Sequence, residues 1–286
     1  MMTVIREPAV AGQFYPADAG ELCATIRMLF EAVQVAEGPA PKALIVPHAG
    51  YIYSGPVAAT AYTRLRRHRQ QYTRVILLGP CHRVAVRGLA MSGADVFRTP
   101  LGDVPLDRKV LACLPAPEVG VFDAAHQFEH SIEVHLPFLQ TAIAPFSLVP
   151  LVVGDATRET VAEVIDALWG GPETLLVISS DLSHYLAYDD ARSRDLATCR
   201  AIESLEGRSI GHDDACGATP IGGLLIAAKQ RGMKVATLDL RNSGDTAGDR
   251  NQVVGYGAWL FLEETKPKFT QRSGYTADSE GVNSEA

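Results

Sequence analysis

Three short aliphatic runs, each breaking abruptly into a polar cluster, constrain this chain more than any other feature. Leu44-Ile45-Val46 runs into Pro47-His48-Ala49-Gly50-Tyr51-Ile52-Tyr53. Val75-Ile76-Leu77-Leu78 runs into Gly79-Pro80-Cys81-His82, and Leu175-Leu176-Val177-Ile178 into Ser179-Ser180-Asp181-Leu182-Ser183-His184. An apolar run without alternation reads as a strand buried on both faces, the signature of a parallel sheet covered by helices. In open α/β sheets ligands bind in the crevice beyond the carboxyl ends of the strands. The three polar clusters are therefore expected to form three walls of one site.

Helical periodicity fills the gaps between the runs. Leu22, Ile26, Leu29, Phe30 and Val33 follow Asp18 and Glu21, which resemble a capping box. Pro56 is expected to start a helix with Val57, Thr60, Ala61 and Leu65 on its apolar face. Further helices are expected from Thr157 or Arg158 to Leu168, over 191–205, and over 220–231 with Gly232 closing the last. Apolar runs at 148–153, 234–240 and 253–262 read as strands. Residues 88–91 and 104–106 read as short strands, 108–114 as a short helix, and 6–16 as a loop. The pattern predicts a single α/β domain over 1–264, with a central, mostly parallel or mixed sheet flanked by helices. Residues 265–286 are polar and aperiodic and are expected to be a disordered tail.

Charge and cysteine usage exclude several classes. A net charge of −7 argues against a nucleic-acid binder working through a basic surface. The basic run 64–69 reads as the end of a helix, where cations suit the macrodipole. Five cysteines without a CxxC pair are neither a disulfide framework nor a zinc ribbon. The N-terminus lacks the apolar core of a signal peptide, and no apolar run approaches a membrane span. The expectation is a cytoplasmic protein of a reducing compartment.

His48, His82, Asp181 and His184 all follow strand ends, so a sheet can bring them together. Cys216 lies just before a helix, where the dipole favours the thiolate, the form that binds metal. Two histidines, one cysteine and an open position suit a catalytic or redox metal better than a closed structural zinc. Cys81 competes with His82, but neighbouring side chains in extended chain point to opposite faces. Cys23, Cys113 and Cys199 read as small core residues. His130 and Glu133 share a helical face while His135 lies well round from both, so these three form no single metal triad. They are expected to orient a ligand or contact substrate, with structural packing as the alternative. The absence of G-x-S-x-G argues against serine hydrolysis at 179–184, and no nucleotide-binding glycine motif is present.

The segments VAGQFYP, VPHAGYIYSG, LLGPCHR, EHSIEVHLPFLQ, ISSDLSHY, DACGATPI and NSGDTAGD…VVGYGA, in this order over 6–262, resemble the Memo family. In bacteria and archaea its members are often called AmmeMemoRadiSam system protein B. The resemblance implies a fold similar to the catalytic subunit of class III extradiol ring-cleavage dioxygenases, which use non-haem Fe(II). It implies a metal site of His48, His82 and Cys216, with Asp181 and His184 lining the cleft and His184 as acid/base. The dioxygenases carry a glutamate where this pattern carries Cys216, and a soft thiolate favours copper(I), zinc or thiolate-bound iron. The family name further implies two partners, an AMMECR-type domain protein and a radical S-adenosylmethionine enzyme.

Three functions are consistent with these residues. The first is an iron(II)-dependent oxidoreductase of the extradiol type acting on a phenolic or other oxygen-bearing small molecule. Tyr51, Tyr53 and Tyr185 would line its pocket, or equally pack half-buried. The second is a non-catalytic protein whose cleft holds copper or iron for transfer or receives a partner peptide. The third is a metal-activated hydrolase.

Overall fold

The computed structural model describes residues 3–34, 37–112, 114, 118–143 and 145–263. In chain order its elements are β1 (Ile5–Arg6), α1 (Ala19–Glu31), β2 (Ala43–Val46), α2 (Tyr51–Leu65), β3 (Arg74–Pro80), β4 (Leu89–Met91), β5 (Val96–Thr99), β6 (Gly102–Pro105), α3 (Arg108–Leu111), β7 (Val119–Val121), α4 (Asp123–Gln127), α5 (His130–Glu133) and α6 (Leu136–Ala142). There follow β8 (Ser147–Val153), α7 (Arg158–Leu168), β9 (Thr174–Ser179), β10 (His184–Leu186), α8 (Tyr188–Glu203), α9 (Ala218–Gln230), β11 (Lys234–Asn242) and β12 (Val253–Leu262).

The unbroken apolar runs become the centre of a mixed sheet in the order β10-β12-β2-β9-β3-β8-β4-β7, with β11 beside β12. Its four middle strands, β2, β9, β3 and β8, are mutually parallel. Strands β12 and β4 join them antiparallel, so the sheet is mixed toward its edges. Every residue of β2 and β9 is buried, which explains why these strands show no alternation in the sequence. A small sheet, β1-β5-β6, lies apart. Helix α2 packs on β2, β11 and β12 with α1 and α6 against it, while α9 covers β3 and β9 and carries α7. The expected class is the one observed, a single α/β domain with a mixed central sheet flanked by helices. Among the described residues no helix is long and apolar enough to cross a membrane.

Several local expectations need correction. Helix α2 starts at Tyr51, not at Pro56, which sits inside it. The Tyr51 N–H donates to the Phe14 carbonyl, and the Gly50 carbonyl takes the N–H groups of Tyr53 and Ser54, so the helix nucleates upstream. Pro56 then forfeits only one ladder bond near the start. Helix α6, which no periodicity announced, buries Phe138 and Leu139 and carries Pro137 in its first turn. Cys199 is buried as expected but Cys23 is exposed: the inward stripe of α1 is Leu22, Ile26 and Phe30, and Cys23 falls beside it. The loop expected over 6–16 begins in β1, and β5, β7 and β10 emerge where no strand was read. Cys113 and the tail at 265–286 lie outside the described residues.

Candidate metal centre

Because β2, β9 and β3 are adjacent and parallel, their carboxyl ends open on one edge. The Ser180 N–H donates to the Val46 carbonyl and the His48 N–H to Asp181 Oδ1 at 2.8 Å, which ties the end of β2 to the end of β9. The Cys216 N–H donates to the Asp181 carbonyl and the Gly217 N–H to Ser180 Oγ, bringing the turn before α9 to the same place. A Cβ on Gly217 would stand 2.6 Å from Ser180 Cβ and 2.7 Å from the Ser179 carbonyl oxygen, so only glycine permits this approach. Gly79 does the same for β3: a Cβ there would meet Ser131 Oγ at 2.6 Å, and that hydroxyl donates to the Pro80 carbonyl. One turn of helix, α5, is thereby held against the end of β3.

This contact makes His130 part of the centre. His48, His82 and His130 each offer a nitrogen, and the three atoms lie within 4.8 Å of one another. The His82 and His130 rings stack at 4.7 Å, and His48 meets both edge-on at 5.3 Å. Hydrogen bonds fix which nitrogens face inward. Ser179 Oγ donates its one proton to the Ser131 carbonyl at 2.6 Å, so its 2.6 Å contact with His48 Nδ1 is an N–H donated by the imidazole. His48 Nε2 is left as the acceptor, 3.4 Å from Cys216 Sγ and 3.9 Å from Asp181 Oδ2. His82 Nδ1 likewise donates to Glu129 Oε1 at 2.9 Å, which frees its Nε2. His130 Nδ1 is 3.3 Å from the same oxygen but makes no hydrogen bond, a buried nitrogen without a partner.

The electrostatics favour neutral imidazoles at His48 and His130. Burial, then the neighbouring histidines, holds His48 well below its ordinary range. Burial also lowers His130, to about 4, although Glu129 pulls the other way. Neutral imidazole is the metal-binding form. Burial opposes ionisation of Glu129, yet the hydrogen bonds and charge of His82 and the backbone donors hold its carboxyl down to about 2. Burial pushes Asp181 up to about 7. Cys216 departs from expectation: burial, then the Asp181 charge, pushes its thiol up to about 12. Helix α9 starts only at Ala218, and the Gly217 N–H is spent on Ser180, so burial outweighs the helix terminus. His184 is half-buried on β10 and burial lowers it too, which leaves Asp181 as the group displaced to neutrality.

The remaining residues separate. Cys81 Sγ turns away to the Val84 carbonyl at 3.0 Å. Glu133, fully buried, accepts from Arg6, from the N–H groups of Ala9 and Val10, and from the Tyr15 hydroxyl. It thus anchors the loop whose Phe14 ring lies 4.8 Å from His130. His135 is buried against the Tyr62 hydroxyl. Tyr51 is buried, its hydroxyl donating to the Val134 carbonyl, and it borders a groove of about 650 Å³ between α1, α2 and β11. Tyr53 is at the surface, and Tyr185, at φ 58°, is 70% exposed beside the His184 ring. Sequence reasoning missed Glu129 and Phe14 as parts of the site, and placed Ser179 in a strand-end cluster without its contact to His48. The one signal for Glu129 was an acid directly preceding the His130 turn.

Three imidazoles, a thiol and a buried carboxyl beyond the carboxyl ends of parallel strands define an α/β protein whose donor set fits a first-row transition metal rather than an oxygen-seeking ion such as calcium. A family model described as Memo-like protein matches residues 6–260, and the chain belongs to that family. It is 37% identical over 270 residues to a MEMO1 family protein of Aquifex aeolicus, covering 90% of this chain and 99% of that one. It is 36% identical over 267 residues to MEMO1 family protein Mbar_A1422 of Methanosarcina barkeri, covering 89% and 98%. For a MEMO1 family protein of Aeropyrum pernix the identity is 38% over 282 residues, covering 89% and 98%. The structure also resembles the crystal structure of an uncharacterized protein, JW3007, from Escherichia coli K12, with a TM-score of 0.51 and 15% identity over 77% of this chain and all of that one. That likeness concerns the fold alone.

Proposed function

We propose that this chain is a metal-dependent oxidoreductase acting on a phenolic or similar oxygen-bearing small molecule. The observation that carries the reading is the triangle of imidazoles, His48, His82 and His130, with donor atoms within 4.8 Å. His48 and His82 hold the metal, iron(II) by preference, and His130 or Cys216 completes the set. When bound, such an ion supplies redox chemistry toward O2 and favours an ionised phenol nearby. Ser179 and Glu129 hold the imidazoles in the ligating tautomer. Asp181, 3.9 Å from His48 Nε2, and His184 on β10 hold and move the substrate proton. Phe14 excludes water from the His130 side of the cleft. A cytoplasmic setting suits the four free cysteines of the described residues. The test is O2 uptake by protein reconstituted anaerobically with Fe(II) and screened over catechols. Uptake lost in His48→Ala supports the reading; no uptake over the series overturns it.

The contact of Cys216 Sγ with His48 Nε2 favours a second reading, a protein that holds copper(I) or iron for a partner without turnover. Tight copper(I) binding abolished by Cys216→Ser, with a partner peptide competing for the cleft, would select it.

A further inference from the structure

Glu129 opens the segment EHSIEVHLPFLQ, where sequence reasoning assigned it no role of its own, yet it is among the most fully committed side chains of the molecule. It is 1% exposed. Its Oε2 accepts the His82 N–H at 2.6 Å. Its Oε1 accepts His82 Nδ1–H, the His130 N–H and the Ser131 N–H, each at 2.9 Å. Arg6 Nη2 in turn donates to the Glu129 carbonyl at 2.8 Å, so the residue's own backbone is fixed. One carboxylate therefore joins the end of β3 to the start of α5, two segments 47 residues apart in the chain.

We propose that Glu129 is the positioning residue of the metal centre, setting the tautomer of His82 through the ring contact and the placement of His130 through the α5 backbone. The proposal rests on the metal-site reading above. A simple helix cap explains only two of the four bonds, and short side chains such as Ser or Asp serve that purpose better. The other two bonds go to His82, which lies outside the helix. Both oxygens must be acceptors, because all four partners are N–H donors. An amide cannot supply this. Glu129→Gln would keep its oxygen toward the three donors at Oε1 and set its NH2 against the His82 backbone N–H, so it perturbs the backbone contact and not the ring. Glu129→Ala instead removes the acceptor that holds the proton at Nδ1, and the ring proton is free to sit on Nε2, the nitrogen otherwise available to ligate. Glu129→Ala is thus expected to block one donor of the centre without removing any ligand.

The experiment uses full-length protein labelled with 15N-histidine and free of metal. Long-range 1H–15N correlation is expected to give His82 as the Nδ1–H tautomer in the wild type, and as Nε2–H or a mixture in Glu129→Ala. Titration with Co(II) alone is expected to weaken by roughly 10–100-fold in the variant, the usual cost of losing a partner that orients a ligand histidine. Ser179→Ala, which removes the partner of His48, should leave the His82 tautomer unchanged. An Nε2–H tautomer at His82 in the wild type overturns the proposal whether or not the variant folds. So does a variant that melts lower but keeps the wild-type tautomer and Co(II) affinity. A wild type that binds no Co(II) overturns the metal reading instead, and the tautomer still decides the role of Glu129.

Discussion

The buried Arg6–Glu133 pair fixes one wall of the site, and its removal has a calculable effect. The two side chains are 7% and 0% exposed. Glu133 accepts four donors on two oxygens: Arg6 Nη1 and the Ala9 N–H on Oε2, and the Val10 N–H and the Tyr15 hydroxyl on Oε1. Glu133→Gln keeps the volume but presents an NH2 group to one of these pairs and leaves the Arg6 charge buried without a counter-charge. Breaking a buried ion pair from one side costs about 3–5 kcal/mol, a large share of the roughly 5–15 kcal/mol that holds a typical domain folded. In a protein of this size the melting temperature should fall by roughly 10 °C. Urea unfolding of metal-free protein, followed by circular dichroism, should show a lower midpoint at an unchanged slope. The double variant Arg6→Met/Glu133→Gln leaves no stranded charge, keeps an amide oxygen for the Val10 N–H and the Tyr15 hydroxyl, and should recover part of the loss. A Glu133→Gln protein within about 1 kcal/mol of wild type, or a double variant as unstable as the single one, would refute the argument.

Two further outcomes follow from the same structure. His126 is held by burial down to about 4, against an ordinary 6.5. Between those values the unfolded chain binds a proton that the folded chain refuses, so this contribution is present above about pH 6.5 and lost as pH falls. The stability gap between wild type and His126→Gln should therefore narrow by about 2 kcal/mol from pH 7 to pH 5; a gap independent of pH would contradict it. Gly217→Ala drives a methyl against the Ser179 carbonyl and Ser180. It should cost roughly 1–3 kcal/mol and weaken Co(II) binding by displacing Cys216, whereas a variant matching wild type in both titrations would argue against this close approach.

What the sequence disclosed depended on how local each signal was. Strands β3, β8, β9 and β12 are long, buried on both faces and visible as unbroken apolar runs. Strands β1, β5, β7 and β10 have two to four residues each and are defined by their neighbours, so no periodicity announces them. His48, His82 and Asp181 were legible because each directly follows such a run. His130 as a third imidazole was not. Its place depends on Gly79 admitting Ser131 and on Glu129 bridging to His82, contacts that join segments about 50 residues apart. For Cys216 the sequence argument weighed the helix terminus and could not weigh burial, which reverses the expected preference for thiolate. Pro56 misled in a similar way, because the true start of α2 is set by the Phe14 carbonyl from a distant loop.

The central claim is that histidines from the ends of parallel strands, joined by His130, hold a transition metal. Metal content after anaerobic purification, for wild type beside His48→Ala, His130→Ala and Cys216→Ser, tests it most directly. Near-stoichiometric metal in the wild type, lost in His48→Ala while circular dichroism stays native, is the expected result, and the His130 and Cys216 variants then identify the third donor. A wild type that takes up no metal on reconstitution, or a His48→Ala protein that retains it in full, would contradict the account.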